Sequence, residues 1–203
     1  QGFLRAPFDA KKVHLYTLSG HKLHGPKGVG TLYVKKGVRL IPRQIGGGQE
    51  GGLRSGTENT PGIAGLNEAI AEMTALPERF ERLREMKKYL VERVLEAVPE
   101  ALLNGPAVDE GAGHVVNISF PGVRGEVMLH ALEGKGVYVS TGSACSSKKR
   151  RLSPVLLEMG VSPDQAEWAL RFSLSPHTTR QEIDYATQQL GEIYPALKRF
   201  QRR

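Results

Sequence analysis

Three side chains stand in sequence contexts that suit covalent or ionic chemistry: Lys22, Cys145 and Arg171. Lys22 follows a strand-like segment and begins a loop rich in Gly and Pro, with His21 beside it. A lysine in this context suits a Schiff-base role when its surroundings favour the neutral amine. Ser19, His21 and the loop amides suit phosphate binding, because glycine-rich turns allow close approach of the backbone. The alternative for Lys22 is an ordinary surface lysine in a turn.

Cys145 is the only cysteine, and it lies in a run of small residues from Ser140 to Ser147 that precedes four cationic side chains. A core cysteine normally has apolar neighbours, whereas a small-residue, electropositive setting favours the reactive thiolate. Arg171 lies on the polar face of a predicted strand, where its guanidinium can pair with a carboxylate through two hydrogen bonds. The alternatives are an incidental exposed thiol and an ordinary structural ion pair.

The hydrophobic periodicity predicts an α/β fold around these residues. We expect strands over 13–18, 31–34, 115–120, 137–139 and 169–174. Helices are expected from a Thr60 N-cap followed by Pro61, over 125–132, and from capping boxes that begin at Ser162 and Thr179. A further amphipathic helix follows Pro77, with one apolar face made of Phe80, Leu83, Leu90, Val94 and Leu95.

The composition changes at Asn104-Gly105-Pro106, which predicts two domains. Residues 1–103 are assigned to the end of a larger domain with its linking helices. Residues 104–203 are assigned to a small, complete α/β domain that carries Cys145. Because the first residue is Gln1 and a strand-like stretch follows almost at once, we expect the chain to begin inside a domain.

The overall composition excludes several classes of protein. The 203 residues carry 28 Lys+Arg and 21 Asp+Glu, a formal charge of +7, and contain one Cys. One cysteine cannot form an internal disulfide, which favours a reducing compartment, and no apolar run is long enough for a membrane span. We therefore expect a cytoplasmic protein. The charge is diffuse and aromatic residues are few, so a nucleic-acid partner is not indicated, and no metal-ligand constellation occurs.

Three motifs together resemble those of the cysteine desulfurases, pyridoxal-phosphate enzymes of the class-V aminotransferase family. The motifs are Ser-Gly-His-Lys-x-x-Gly-Pro-Lys-Gly at 19–28, Arg-Ser-Gly-Thr-Glu-Asn-Thr-Pro at 54–61 and Ser-Thr-Gly-Ser-Ala-Cys-Ser at 140–146. An Arg-Phe-Ser-Leu strand at 171–174 also matches. The resemblance implies the C-terminal part of a fold-type-I large domain followed by the small domain, with the cysteine loop of the long-loop type.

The resemblance also implies a role for each matching residue. Lys22 binds pyridoxal phosphate covalently and moves protons at the substrate Cα, while Arg171 holds the carboxylate of L-cysteine. Cys145 attacks the substrate sulfur, becomes a persulfide and leaves L-alanine as the product. Four residues are implied as further cofactor ligands: Gln1 at the phenolic oxygen, Ser19 and His21 at the phosphate, and Thr57 at the phosphate of a neighbouring subunit.

The partners implied by the resemblance are a second copy of the chain and a sulfur acceptor, such as an iron–sulfur scaffold protein. The family's cofactor-stacking histidine and the aspartate at the pyridine nitrogen lie upstream of the segment that matches Gln1. The resemblance therefore implies an upstream half that completes the active site. Two alternatives remain open, a selenocysteine lyase and a catalytically incomplete fragment that acts as an interaction module.

Overall fold

The computed structural model describes Asp9 and residues 11–75, 78–141 and 152–201. Strands and helices are interspersed along these residues, as the α/β prediction requires. The strands are β1 (Leu15–Ser19), β2 (Gly30–Val34), β3 (Leu102–Asn104), β4 (Val115–Ser119) and β5 (Ala169–Ser173). The α-helices are α1 (Thr60–Ala75), α2 (Glu78–Ala97), α3 (Gly125–Glu133), α4 (Pro154–Glu158), α5 (Pro163–Glu167) and α6 (Arg180–Gln201). Short 3₁₀ segments cover Gly20–Leu23 and Gln49–Gly52.

The chain divides into two compact units, Gln1–Pro77 and Glu78–Arg203. Helix α2 therefore groups with the second unit, whereas the sequence analysis assigned it to the first segment, which ended at residue 103. The reason is that α2 packs against α6, a partner about a hundred residues away that the composition does not reveal. The domain boundaries of the full-length protein stay a prediction. No helix in the described ranges is long and apolar enough to cross a membrane.

The first unit contains an antiparallel hairpin in which β1 pairs with β2 from Leu15↔Val34 to Ser19↔Gly30. Both strands were predicted, and each differs from its predicted range by two residues or fewer at either end. The 3₁₀ segment Gly20–Leu23 follows β1 without a break. Helix α1 packs against this segment.

Helix α1 begins one residue earlier than the sequence predicted. Thr60 is the first helical residue instead of the N-cap, and the Oδ1 atom of Asn59 accepts a hydrogen bond from the amide of Gly62 at 3.1 Å. Asparagine is among the best N-cap residues, because its short side chain reaches the unpaired amides of the first turn. Pro61 is accordingly at the second helical position.

The second unit is built on an antiparallel sheet of order β3-β4-β5. Side chains alternate between its two faces, as strand geometry requires. One face is apolar and buried, together with the inner sides of α2, α3 and α6. The buried residues of this core include Leu90, Val94, Val116, Ile118, Met128, Leu132, Leu170, Phe172, Ile183 and Leu190.

Helices α2 and α6 are joined by polar contacts beside this core. The hydroxyl of Tyr89 donates to Asp184 Oδ1 at 2.6 Å, and Arg93 Nε donates to the same oxygen at 3.2 Å. The hydrogen bond to Asp184 raises the pKa of Tyr89. The predicted apolar face of α2 is confirmed at the buried positions, but Leu95 is 39% exposed, so its assignment to that face was wrong.

The strand predicted over 137–139 is not formed. Only Ser140, the next residue, pairs with β5, in an isolated antiparallel bridge to Arg171. The chain leaves α3 through a turn in which Gly136 has φ +75°, and Tyr138 is 80% exposed. The local residues favour a strand, but a strand needs a partner along its whole length, and the sequence of this segment does not determine that pairing.

The two predicted capping boxes differ in the structure. At α6 the box is reciprocal: Glu182 Oε2 accepts from the amide of Thr179 at 2.7 Å, and Thr179 Oγ1 accepts from the amide of Glu182 at 3.3 Å. At α5 only half of the box forms: Ser162 Oγ accepts a hydrogen bond from the amide of Gln165 at 3.2 Å. The Gln165 side chain instead donates to Asn104 in β3.

Candidate functional site

The predicted lysine site lies where β1 ends and the 3₁₀ segment begins. Ser19 is the last residue of β1, and Lys22 and His21 are exposed on the following turn. Gly20 and Leu23 are buried on the opposite side of the same turn. The turn therefore directs an amine, an imidazole and a hydroxyl to solvent from three positions within four residues.

Backbone hydrogen bonds close this turn, and they require glycine at position 20. The amide of Gly20 donates to Val29 O at 2.8 Å, and the amide of Gly25 donates to Gly20 O at 3.0 Å. A Cβ atom at position 20 would lie 2.8 Å from Val29 O, closer than real side chains approach a backbone oxygen. The glycine thus allows the return strand to approach closely, and this approach fixes the position of Lys22.

Helix α1 packs against the lysine turn, by which we mean Ser19 and the following 3₁₀ segment Gly20–Leu23. Leu23 of the turn and Leu66 of α1 are both buried. The approach is close enough that a Cβ atom at Gly65 would lie 2.8 Å from Pro26 Cγ. The small residue in α1 therefore lets the Gly-Pro loop rest directly on the helix.

The second glycine loop precedes Thr57 and is held by its own side chains. Ser55 Oγ donates to Gly47 O at 2.9 Å, and Gln49 Oε1 accepts from the amide of Gly56 at 3.3 Å. These bonds join the two ends of the loop. Thr57 follows directly and is exposed.

Arg171 lies on the polar face of the sheet in the second unit. Its neighbours Leu170 and Phe172 are buried on the apolar face, so strand alternation puts the guanidinium on the other side. Its backbone exchanges two hydrogen bonds with Ser140, at 2.6 and 3.2 Å. The Nε atom of Arg171 is buried and has no hydrogen-bond partner within the described part of the chain. A buried donor of this kind costs free energy until an acceptor reaches it.

A hydrogen-bonded network that the sequence analysis missed covers the same polar face. Asn104 Nδ2 donates to Asn117 Oδ1 at 2.6 Å and to Ser119 Oγ at 2.7 Å. Gln165 Nε2 donates to Asn104 Oδ1 at 2.6 Å, and Ser119 Oγ donates to Gln165 O at 2.7 Å. The available signal was the alternation in β4, where polar residues 117 and 119 interrupt an apolar strand.

A cavity of about 430 Å³ lies beside Ala169, which shares a sheet face with Arg171. Its wall contains Thr141 and Leu152, the described residues that border 142–151. Thr141 and Leu152 therefore line the same cavity in the second unit. The wall also carries the charged residues Arg124, Glu126, Asp164 and Glu167.

The predicted site residues fall into three groups. Among the described residues, the first unit holds four of them, Ser19, His21, Lys22 and Thr57, and the first three are contiguous with one turn. Arg171 belongs to the second unit. Gln1 and Cys145 lie outside the described residues. Within the described ranges, no group of three His, Cys, Asp or Glu residues could hold a metal ion.

Comparison with known proteins identifies the family. Residues 1–186 match the family model described as aminotransferase class-V. The chain belongs to the class-V aminotransferase family. A solved structure of a NifS-like protein superimposes with a TM-score of 0.81 at 35% identity, covering 92% of this chain and 47% of the other. A NifS-like protein from Rickettsia africae gives the same TM-score at 30% identity, covering 96% of this chain and 51% of the other. The predicted α/β fold class is confirmed.

Curated relatives of this class-V aminotransferase chain carry the name that the motifs indicated. The protein named cysteine desulfurase IscS from Clostridium botulinum is 42% identical over 183 residues, 89% of this chain and 46% of its own length. The protein of the same name from Methanosarcina thermophila is 40% identical over 201 residues, 98% of this chain and 49% of its own length. The chain thus spans about half the length of these relatives. The predicted resemblance to cysteine desulfurases is confirmed.

The donors of the lysine turn fit pyridoxal phosphate, the cofactor implied by the family. An exposed primary amine can bind an aldehyde, and a hydroxyl and an imidazole on the same turn can donate to a phosphate. The glycine at position 20, where a side chain would collide with Val29 O, keeps the backbone of this turn free of side-chain bulk. Lys22 therefore suits the cofactor's aldehyde, and Ser19 and His21 suit its phosphate.

Proposed function

We propose that the full-length protein is a pyridoxal-phosphate-dependent cysteine desulfurase, a transferase that converts L-cysteine to L-alanine and keeps the sulfur on Cys145. The observation that carries the proposal is the lysine turn. Lys22, His21 and Ser19 project from one tightly closed turn that leaves no room for a side chain at Gly20. The names of the relatives support the same activity.

In the first unit, we assign the cofactor contacts to the lysine turn. Lys22 would bind the cofactor's aldehyde carbon and afterwards move a proton at the substrate Cα. Ser19 and His21 would donate hydrogen bonds to the phosphate. When bound, pyridoxal phosphate supplies an electron sink that labilises bonds of the amino-acid substrate. The part of the protein is to position the reacting groups and to transfer protons.

In the second unit, we assign the substrate carboxylate to Arg171. Arg171 lies in a strand whose backbone is hydrogen-bonded to β4 on one side and to Ser140 on the other, so the position of the Arg171 backbone is fixed. Its buried Nε atom lacks an acceptor in the described ranges. A carboxylate supplies two acceptor oxygens and the opposite charge.

We assign sulfur transfer to Cys145. Its thiolate would form an S–S bond with the substrate sulfur while the C–S bond of the substrate breaks. The carbon skeleton takes up a proton and leaves as L-alanine. Cys145 is four residues beyond Thr141, and four residues span at most about 14 Å. Thr141, the described residue that precedes this segment in the chain, belongs to the wall of the cavity in the second unit.

The remaining assignments concern the assembly. We propose that Gln1 binds the cofactor's phenolic oxygen and that the exposed Thr57 reaches the phosphate of a second copy in a homodimer. We further propose a cytoplasmic location and transfer of sulfur to an acceptor protein of iron–sulfur cluster assembly. The single cysteine and the resemblance to the desulfurases support these assignments.

The test uses the full-length protein with added pyridoxal phosphate and L-cysteine. We expect a bound-cofactor absorbance band and equal amounts of alanine and transferred sulfur. Lys22→Ala is expected to abolish covalent cofactor attachment, measured as added protein mass after borohydride reduction. Lys27→Ala, an exposed lysine of the same loop, is the matched control and should retain the attachment.

Three outcomes would contradict the proposal. If no cofactor is retained, the interaction-module alternative is favoured. If selenocysteine is consumed and L-cysteine is not, the protein is a selenocysteine lyase. If Lys22→Ala and Lys27→Ala show the same added protein mass after borohydride reduction, the lysine assignment is wrong.

A further inference from the structure

Asn117 and Arg171 face each other directly across the pair of strands β4 and β5. The antiparallel register aligns their Cα atoms as partners. Their strand neighbours Val116 and Leu170 are buried on the apolar face, so both polar side chains project from the opposite face. Directly opposed residues have Cβ atoms about 4.5–5.5 Å apart, close enough for their side chains to share one ligand.

The orientation of the Asn117 amide is set from the β3 side. Its Oδ1 atom accepts a hydrogen bond from Asn104 Nδ2 at 2.6 Å. Asn104 is itself 8% exposed and is held by Ser119 and Gln165. Because the oxygen and nitrogen of an amide lie on diverging bonds, the oxygen's contact with β3 turns the nitrogen away from that strand. Strand β5, with Arg171, lies on the other side of β4.

Two hydrogen-bond donors are thus adjacent on one sheet face. A guanidinium can only donate, and the Asn117 amide, whose oxygen accepts from Asn104, carries a donor nitrogen as its other group. Asn117 does not serve as the acceptor of Arg171 Nε in the described residues. The buried Nε of Arg171 has no acceptor among the described residues. A neighbouring pair of donors, one of them charged, matches the two oxygens of a carboxylate.

We propose that Asn117 is a second donor to the substrate carboxylate that Arg171 binds, and that Asn104 is the positioning residue that orients it. This inference rests on the proposed function, because it uses the assignment of the carboxylate to Arg171. It adds a specificity determinant on a neighbouring strand. The sheet then recognises the carboxylate with two side chains whose separation is fixed by the strand register.

The test is the binding of L-alanine, the proposed product, compared with L-alaninamide, which lacks the carboxylate. Both are titrated into the cofactor-loaded full-length protein. Asn117→Ala should weaken L-alanine binding about tenfold, the usual effect of losing a hydrogen bond to a charged group, and L-alaninamide binding less than about threefold. Asn117→Asp keeps the acceptor for Asn104 and the side-chain shape, and it should weaken L-alanine binding by more than Asn117→Ala.

The outcomes separate this inference from the proposed function. If the unsubstituted protein does not prefer L-alanine over L-alaninamide, the assignment of the carboxylate to Arg171 fails. If that preference exists but both Asn117 variants bind L-alanine with unchanged affinity, the inference is overturned. Equal losses for both ligands would show a purely structural role and would also overturn it. Asn104→Ala should give a smaller, carboxylate-dependent loss than Asn117→Ala, because the donor remains but is no longer oriented.

Discussion

Ser140 and Arg171 exchange two backbone hydrogen bonds. The amide of Arg171 donates to Ser140 O at 2.6 Å, and the amide of Ser140 donates to Arg171 O at 3.2 Å. The residue assigned to the substrate carboxylate is therefore paired with the residue that begins the small-residue run containing Cys145. The pairing fixes the backbone of Ser140 against that of Arg171 in the sheet.

Arg171→Lys tests the carboxylate assignment. A lysine keeps the positive charge but loses the planar fork of donors that matches a carboxylate. We expect KM for L-cysteine to rise about tenfold or more. Steady-state kinetics of alanine formation gives the measurement. Arg93→Lys, in the contact between α2 and α6, is the control and should leave KM unchanged. Equal KM values for the two variants would contradict the assignment.

Gly20→Ala tests whether close backbone approach fixes the lysine turn. The new Cβ atom would lie 2.8 Å from Val29 O, so the turn must shift. We expect destabilisation of about 1–3 kcal/mol, as for other overpacked sites, and weaker cofactor binding in an absorbance titration. Gly48→Ala has no neighbouring atom within 4 Å of its Cβ and should change neither quantity. Similar results for the two variants would show that the space at position 20 is not limiting.

Asn59→Ala and Thr60→Ala distinguish the observed helix start from the one that the sequence indicated. Asn59 accepts the hydrogen bond from Gly62, so its removal should lower the free energy of unfolding by about 1 kcal/mol. Thr60→Ala should have a smaller effect. Chemical denaturation of both variants provides the comparison. A larger loss for Thr60→Ala would restore threonine as the N-cap.

Glu182→Gln tests the capping box of α6 through its pH dependence. Hydrogen bonds from the amide and then the hydroxyl of Thr179 hold the pKa of Glu182 below its ordinary value of 4.5. The folded state therefore binds this proton less readily than the unfolded state does. The stabilisation is complete above pH 4.5 and is lost as the pH falls through the lowered pKa. Unfolding measured at several pH values should show a wild-type advantage near neutral pH that shrinks on acidification. An advantage independent of pH would exclude the carboxylate as its source.

Local patterns in the sequence predicted the elements well where the structure is decided locally. The alternation Leu170-Arg171-Phe172 has a period of two, so it predicted both the strand and the face of Arg171. The reciprocal box at Thr179 was likewise visible, because its partners are three residues apart. The pairing of Ser140 with Arg171 was not visible, since it depends on a contact between segments distant in the chain.

The network around Asn117 escaped prediction for the same reason. Its members come from β3, β4 and the start of α5, and Gln165 reaches Asn104 across 61 positions of sequence. The alternation in β4 relates Asn117 to Ser119, but no local pattern relates these two residues to Asn104 or Gln165. The candidate site was indicated instead by motifs, which identify residues such as Lys22 but do not describe what holds them. The glycine at position 20 and the support from α1 became evident only from the packing.

The central claim is that the sulfur of L-cysteine passes to Cys145. The most direct measurement is peptide mass mapping of the full-length protein after brief incubation with pyridoxal phosphate and L-cysteine, without a reductant. We expect the peptide containing Cys145 to gain one sulfur atom, and Cys145→Ala to lose sulfur release while it retains the bound cofactor. An unmodified Cys145 peptide, together with undiminished sulfide production by Cys145→Ala, would contradict the claim.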